Sequence, residues 1–169
     1  TGTDRIYEAL KKIDNKDIEL VMNLQGDEPM MNVKDVKRLH NQMISSKSKM
    51  GTLGSIILND SLYEKENIVK VITKEALDLN KLSAAIKFNR KSSKNERNVY
   101  HHLGIYCYQF EVLKKFVSFK QSTNEIKHNL EQLRALDNDI EINVALAQSS
   151  PVGVDTMEDF LAIKKIMEY

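Results

Sequence analysis

The sequence predicts a single α/β domain over residues 1–169, built on a mixed β-sheet flanked by helices. Three observations carry this. Strand-length apolar runs alternate with segments of helical periodicity at both ends of the chain. Strand patterns cluster in the middle, where neighbours can pair antiparallel. One apolar run, Ile18 to Met22 broken only by Glu19, stops at Asn23-Leu24-Gln25-Gly26-Asp27-Glu28-Pro29. A buried parallel strand ends this way when its carboxyl end opens into a ligand crevice. With 169 residues, 41% of them hydrophobic, the chain is long enough to bury a proper core.

Thr1 and Asp4 stand at capping-box spacing before Ile6, Ala9, Leu10 and Ile13, which predicts an opening helix. The strand 18–24 follows. Asn32 is a suitable N-cap for a second helix, with Asp35 at N3 and Val36, Leu39 and Met43 as its apolar stripe. After a polar connection at 45–49, strands are expected over 52–58, 69–73 and 84–89. The stretch 92–98 holds no apolar residue and reads as a mobile loop. A long strand, 99–110, leads into a short helix, 111–117. Ile126, Leu130, Leu133 and Leu136 predict one helix over 125–136. Residues 140–147 alternate as a strand should. Thr156 and Asp159 open a last helix with Phe160, Ile163 and Met167 inward.

Composition excludes several classes. A net charge of +1 gives no basic excess for nucleic acid, and the basic stretch around Arg90, Lys91 and Arg97 reads mainly as solvated loop. The single Cys107 rules out an internal disulfide, suits a reducing cytosol and sits in an apolar strand as a core filler. No leader and no membrane-length apolar stretch is present, so a cytoplasmic protein without a membrane partner is expected. Glycine loops of the dinucleotide and Walker kinds are absent as well.

Four places can carry chemistry. Asp27 offers a hard oxygen to a divalent cation, although Asp27 and Glu28 also fit a solvated turn. Asp155, in Gly153-Val154-Asp155-Thr156, is either an acid favoured at a helix start or, with Asp27, half of a two-carboxylate Mg²⁺ site. Period two in strand 99–110 puts Tyr100, His102, Gly104 and Tyr106 on one face, opposite Val99, His101, Leu103, Ile105 and Cys107. His102 and Tyr106 thus share a polar face, although a strand histidine is usually structural. Glu131 and Gln132 flank a leucine-lined helix face and point either into a cleft or into water.

Together these segments resemble the 3-deoxy-manno-octulosonate cytidylyltransferase family. The resemblance rests on Thr1-Gly2-Thr3-Asp4-Arg5, the Asn23-to-Pro29 segment, His102-Leu103-Gly104-Ile105-Tyr106, Leu130-Glu131-Gln132-Leu133-Arg134 and Gly153-Val154-Asp155-Thr156, in family order from end to end. It implies a Rossmann-like nucleotidyltransferase fold and a homodimer. The implied reaction joins CTP and 3-deoxy-manno-octulosonate (KDO) into CMP-KDO and pyrophosphate, for lipopolysaccharide synthesis. By resemblance, Asp27 and Asp155 hold Mg²⁺, and Gln25, His102, Tyr106, Glu131 and Gln132 line the sugar pocket. Arg5 and Arg90 correspond to arginines near the sugar acid, and Gly2 and Thr3 to the stretch beside the nucleotide. The family's N-terminal strands and nucleotide-binding loop are missing from this sequence, which implies an N-terminally shortened enzyme of poor turnover. A cytidylyltransferase for another acidic sugar (sialic acid or amino-KDO) and a non-catalytic, ligand-binding or dimerising remnant are the competing readings.

Overall fold

A computed structural model describes residues 1–13, 17–151, 153–154 and 156–167, and among these stand six strands and six α-helices. The strands are β1 (Leu20–Asn23), β2 (Met50–Ser55), β3 (Lys70–Thr73), β4 (Ser83–Asn89), β5 (Val99–Gln109) and β6 (Ile142–Ala147). The helices are α1 (Gly2–Leu10), α2 (Val33–Ser46), α3 (Phe110–Ser118), α4 (Thr123–His128), α5 (Leu133–Leu136) and α6 (Met157–Met167). The sheet order is β1-β5-β2-β6-β4-β3. It is mixed, as expected, because β2 and β6 run parallel while the other pairs are antiparallel.

Each face of the sheet has its own core. On one, Leu39 and Met43 of α2 pack with Leu53, Leu103, Ile105, Cys107 and Ala145. The helix lies so close to β2 that a Cβ on Gly51 would stand 2.5 Å from the Met43 sulfur, so only glycine fits there without repacking. On the other face, Tyr108, Leu113, Phe116, Leu133 and Ile142 form the larger core, with Ile6, Tyr7 and Leu10 of α1 against it. The Thr1–Asp4 capping box and the Asn32 cap are both present. The predicted face division of β5 also holds, since Leu103, Ile105 and Cys107 pack toward α2.

Several expectations are corrected. The strand expected at 18–24 as a buried parallel strand is β1, at the end of the sheet order and antiparallel to β5. An apolar run reports burial, not strand direction. The strand expected at 52–58 is β2, beginning at Met50 and ending at Ser55, with Ile56 and Leu58 exposed beyond it. In the last helix Ile163 is buried, whereas Phe160 and Met167 are about half exposed.

The correction with most consequence concerns 125–136. It is not one helix but α4 and α5, broken at Asn129, whose left-handed φ of 52° ends α4. The Leu130 amide returns to the Glu125 carbonyl, and Arg134 reaches back across the break to clasp the Glu125 carboxylate with Nε (2.8 Å) and Nη2 (2.6 Å). Leucines keep the same spacing through such a tight turn as along a helix, so periodicity alone could not reveal the break. Ile126, assigned to the buried stripe, is exposed.

Candidate functional site

The site begins with an irregularity in β5. On one edge this strand pairs with β1 through residues 106–109 and with β3 through residues 99–101. The stretch 102–105 lies between the two ladders, anchored by the His102 amide donating to the Val69 carbonyl at 2.9 Å. On the opposite edge the register with β2 jumps from Thr52–Tyr106 to Leu53–Leu103, so Gly104 and Ile105 form a bulge. Bulges re-aim side chains and are concentrated at functional sites. Here the chain leaving β1 and the chain entering β3 diverge, and a cleft of about 590 Å³ opens between them.

Eight of the sequence-predicted residues line this cleft: Gly2, Arg5, Gln25, Asp27, His102, Tyr106, Glu131 and Gln132. They arrive from four places: the first turn of α1, the segment after β1, the β5 bulge, and the turn between α4 and α5. The break at Asn129 matters here, because it turns Glu131 and Gln132 off a helix flank and into the cleft wall. Gln25 Nε2 donates to the Asn23 side chain at 2.8 Å. Glu131 stands 3.9 Å from Arg134, and its Oε1 is buried with no hydrogen-bond partner among the described residues. That acceptor faces a ligand's donors or a lost bond.

Asp27 is exposed at the cleft mouth, and its carbonyl accepts from the Val154 amide at 2.8 Å. This bond ties the segment preceding α6 to the segment after β1. Gly153 packs beside this bond, where a Cβ would lie in ordinary van der Waals contact with the Asp27 carbonyl and the Glu28 carboxyl group. Asp155, the second carboxylate of the expected metal pair, lies outside the described residues. Among the described residues no group of three metal-ligating side chains is assembled.

His102 is enclosed. Its ring meets Phe88 edge-on at 5.0 Å and tilts against Tyr106 at 5.5 Å, while Nε2 lies 2.9 Å from the Thr52 hydroxyl. The single Thr52 hydroxyl proton has a closer acceptor in the Ile105 carbonyl, at 2.7 Å. Nε2 must then be the donor, which leaves Nδ1 as the ring's acceptor. Burial, helped by His101, pushes the His102 pKa down to about 3, and burial pushes the Tyr106 hydroxyl well up. Both groups are therefore neutral fixtures of the wall, not proton shuttles. NMR titration should show no His102 ring transition above about pH 5; a midpoint near 6.5 would mean that the ring is open to water.

The remaining predicted residues lie elsewhere. Thr3 is buried under the wall, its hydroxyl 3.5 Å from that of Tyr108. Arg90 is not among the lining residues. Its guanidinium donates to the carbonyls of Glu66, His128 and Asn129 at 3.0–3.1 Å. Sequence reasoning missed other lining residues: Glu28, Lys65, Asn67, His101 and Ser150. Glu28 was signalled by its place beside Asp27. His101 was set aside because it alternates onto the apolar face, yet it turns to the Ser150 hydroxyl at 3.2 Å. Lys65 and Asn67 sit in an irregular connection, where periodicity carries no signal.

The cytidylyltransferase family model matches residues 1–142. The 3-deoxy-manno-octulosonate cytidylyltransferase of Bartonella tribocorum is 40% identical over 168 residues, covering 99% of this chain and 69% of the relative. The chain belongs to this cytidylyltransferase family. The Thermodesulfovibrio yellowstonii member is 36% identical over 178 residues, with 69% of it covered. A solved CMP:2-keto-3-deoxy-manno-octonic acid synthetase, complexed with CTP, superposes with a TM-score of 0.83 at 29% identity, over 99% of this chain and 68% of that one. An apo UDP-glucose pyrophosphorylase shares the fold at a TM-score of 0.63 and 10% identity, with 94% of this chain and 56% of that one covered. Membership makes the chain a nucleotidyltransferase enzyme with the α/β nucleotidyltransferase fold.

Proposed function

We propose that this chain transfers CMP from CTP to the anomeric hydroxyl of KDO, releasing pyrophosphate, as a step of lipopolysaccharide synthesis. The observation that supports this best is the convergence of Arg5, Gln25, His102, Tyr106, Glu131 and Gln132 on one cleft. A polyhydroxylated acid needs both an arginine fork and many neutral donors and acceptors. Arg5 takes the sugar carboxylate. The buried Glu131 Oε1 accepts from a sugar hydroxyl, with Gln25, Gln132 and the Tyr106 hydroxyl completing the set. Gly2 and Thr3 flank the nucleotide at the start of α1, Thr3 by fixing the wall from beneath. Arg90 serves the sugar acid indirectly, through the turn it holds.

Asp27, exposed at the mouth, would supply Mg²⁺ with a hard oxygen, and by resemblance Asp155, which lies outside the described residues, would supply a second. When bound, the ion neutralises phosphate charge and polarises the α-phosphate. The protein's own work is orientation, because this reaction needs no covalent nucleophile. Residues 1–169 act as one cytidylyltransferase domain, in a cytoplasmic homodimer.

Calorimetric titration with KDO, in the presence and absence of CTP and Mg²⁺, tests the reading. KDO should bind at least about tenfold tighter than N-acetylneuraminate, since mismatched sugar hydroxyls leave buried groups unpaired. Equal binding would point to another acidic sugar, and no binding of either would favour the non-catalytic reading.

A further inference from the structure

Lys70 is fully buried, and the cleft described above makes no direct use of it. Its ammonium donates to three backbone carbonyls: Lys65 (2.7 Å), Ile68 (2.8 Å) and Arg90 (2.7 Å). Three carbonyls match the three protons of an ammonium. Arg90 then continues the chain of contacts through its guanidinium, to Glu66 in the same connection and to His128 and Asn129 at the end of α4. One cation thus holds the wall that carries Lys65, Asn67 and Ile68. The next cation joins that wall to the turn that carries Glu131 and Gln132.

We infer that Lys70 is a positioning residue of the sugar-acid pocket, which with Arg90 forms a two-cation clamp setting the separation of the two cleft walls. The inference rests on the proposed function for its ligand but not for its geometry. A buried cation is costly unless its donors are satisfied; here all of them are, by main-chain groups that side-chain substitution cannot remove. The titratable groups around the clamp are Glu64, Lys65 and Glu66 from the connection, Arg90 and the Glu66 partner Lys91 after β4, and His101, the register partner of Lys70 on β5. Burial lowers the Lys70 pKa to about 8, against the pull of Glu64. A neutral amine has two protons, so one carbonyl loses its donor above that pH.

The test compares wild type with Lys70→Met by hydrogen exchange and by KDO titration. Exchange should accelerate at the Ile68 amide and also across the clamp, at the Leu133 and Arg134 amides, while α2 and β2 keep their protection. The Kd for KDO should rise about ten- to hundredfold with little change for CTP, as expected for misplaced walls. Wild-type KDO affinity should fall as pH rises through about 8, with no such step in Lys70→Met. In the exposed Glu64→Gln variant the step should move to lower pH, which needs no change in folding. Exchange confined to residues 65–70, or spread evenly over the molecule, would overturn the clamp whether or not KDO binds. Failure of wild type to bind KDO with the exchange pattern intact would instead count against the function and uphold the clamp.

Discussion

Replacing Glu125 by alanine is expected to destabilise the fold by about 3–5 kcal/mol, the usual cost of leaving one partner of a buried ion pair uncompensated. Arg134 is the largest fully buried side chain, and its guanidinium lies over the Phe116 ring at 4.8 Å with both carboxylate oxygens of Glu125 in reach. It also stands 3.9 Å from Asp4 of α1 and from Glu131 of the cleft. Loss of Glu125 takes away this buried charge's close acceptors and leaves it only the two carboxylates at 3.9 Å. Urea unfolding measures the effect. The double change Glu125→Leu with Arg134→Met should recover most of the loss, because the pair owes its place to mutual compensation. Equal losses in the single and double variants would show that packing, not charge, decides.

The same pair sets an acid limit. Burial works against the charge of Glu125, yet hydrogen bonds from Arg134, Gln121 and the Ser122 amide hold its pKa below the ordinary 4.5. A carboxylate depressed in this way contributes stability above its unfolded value, and that contribution disappears as pH falls through the folded value. Wild type should therefore lose stability below about pH 4.5 more steeply than the double variant.

The second large effect is functional. With Asp27 holding Mg²⁺ as proposed, Asp27→Ala is expected to weaken Mg²⁺-dependent CTP and KDO binding by about two to three orders of magnitude, which is about 3–4 kcal/mol at 1.36 kcal/mol per tenfold. Folding should be nearly unaffected. The side chain is exposed, and it is the Asp27 carbonyl, present in any residue, that accepts from Val154. Calorimetry with and without Mg²⁺ separates the metal-dependent part. Unchanged Mg²⁺ dependence in Asp27→Ala would remove Asp27 from the metal site.

Local chemistry determined much of this protein. The caps at Thr1, Asn32 and Thr156, the alternation along β5, and the abrupt polar stop after β1 are short-range signals, legible because each depends on residues within a few positions. The candidate site residues were named largely through resemblance; periodicity could place His102 on a polar face but could not say what enclosed it. Tertiary structure decided the rest. The break at Asn129 turns Glu131 and Gln132 into the cleft, and it is held by an Arg134–Glu125 contact nine residues apart. The bulge at Gly104 and Ile105 exists only in the register between β2 and β5. Arg90 and Lys70 read as members of a basic stretch and a plain strand, and become a clamp only when β3, β4 and the end of α4 meet. Direction of pairing and register arise between distant segments, and even the nine-residue Arg134–Glu125 contact leaves no mark in the spacing of apolar residues.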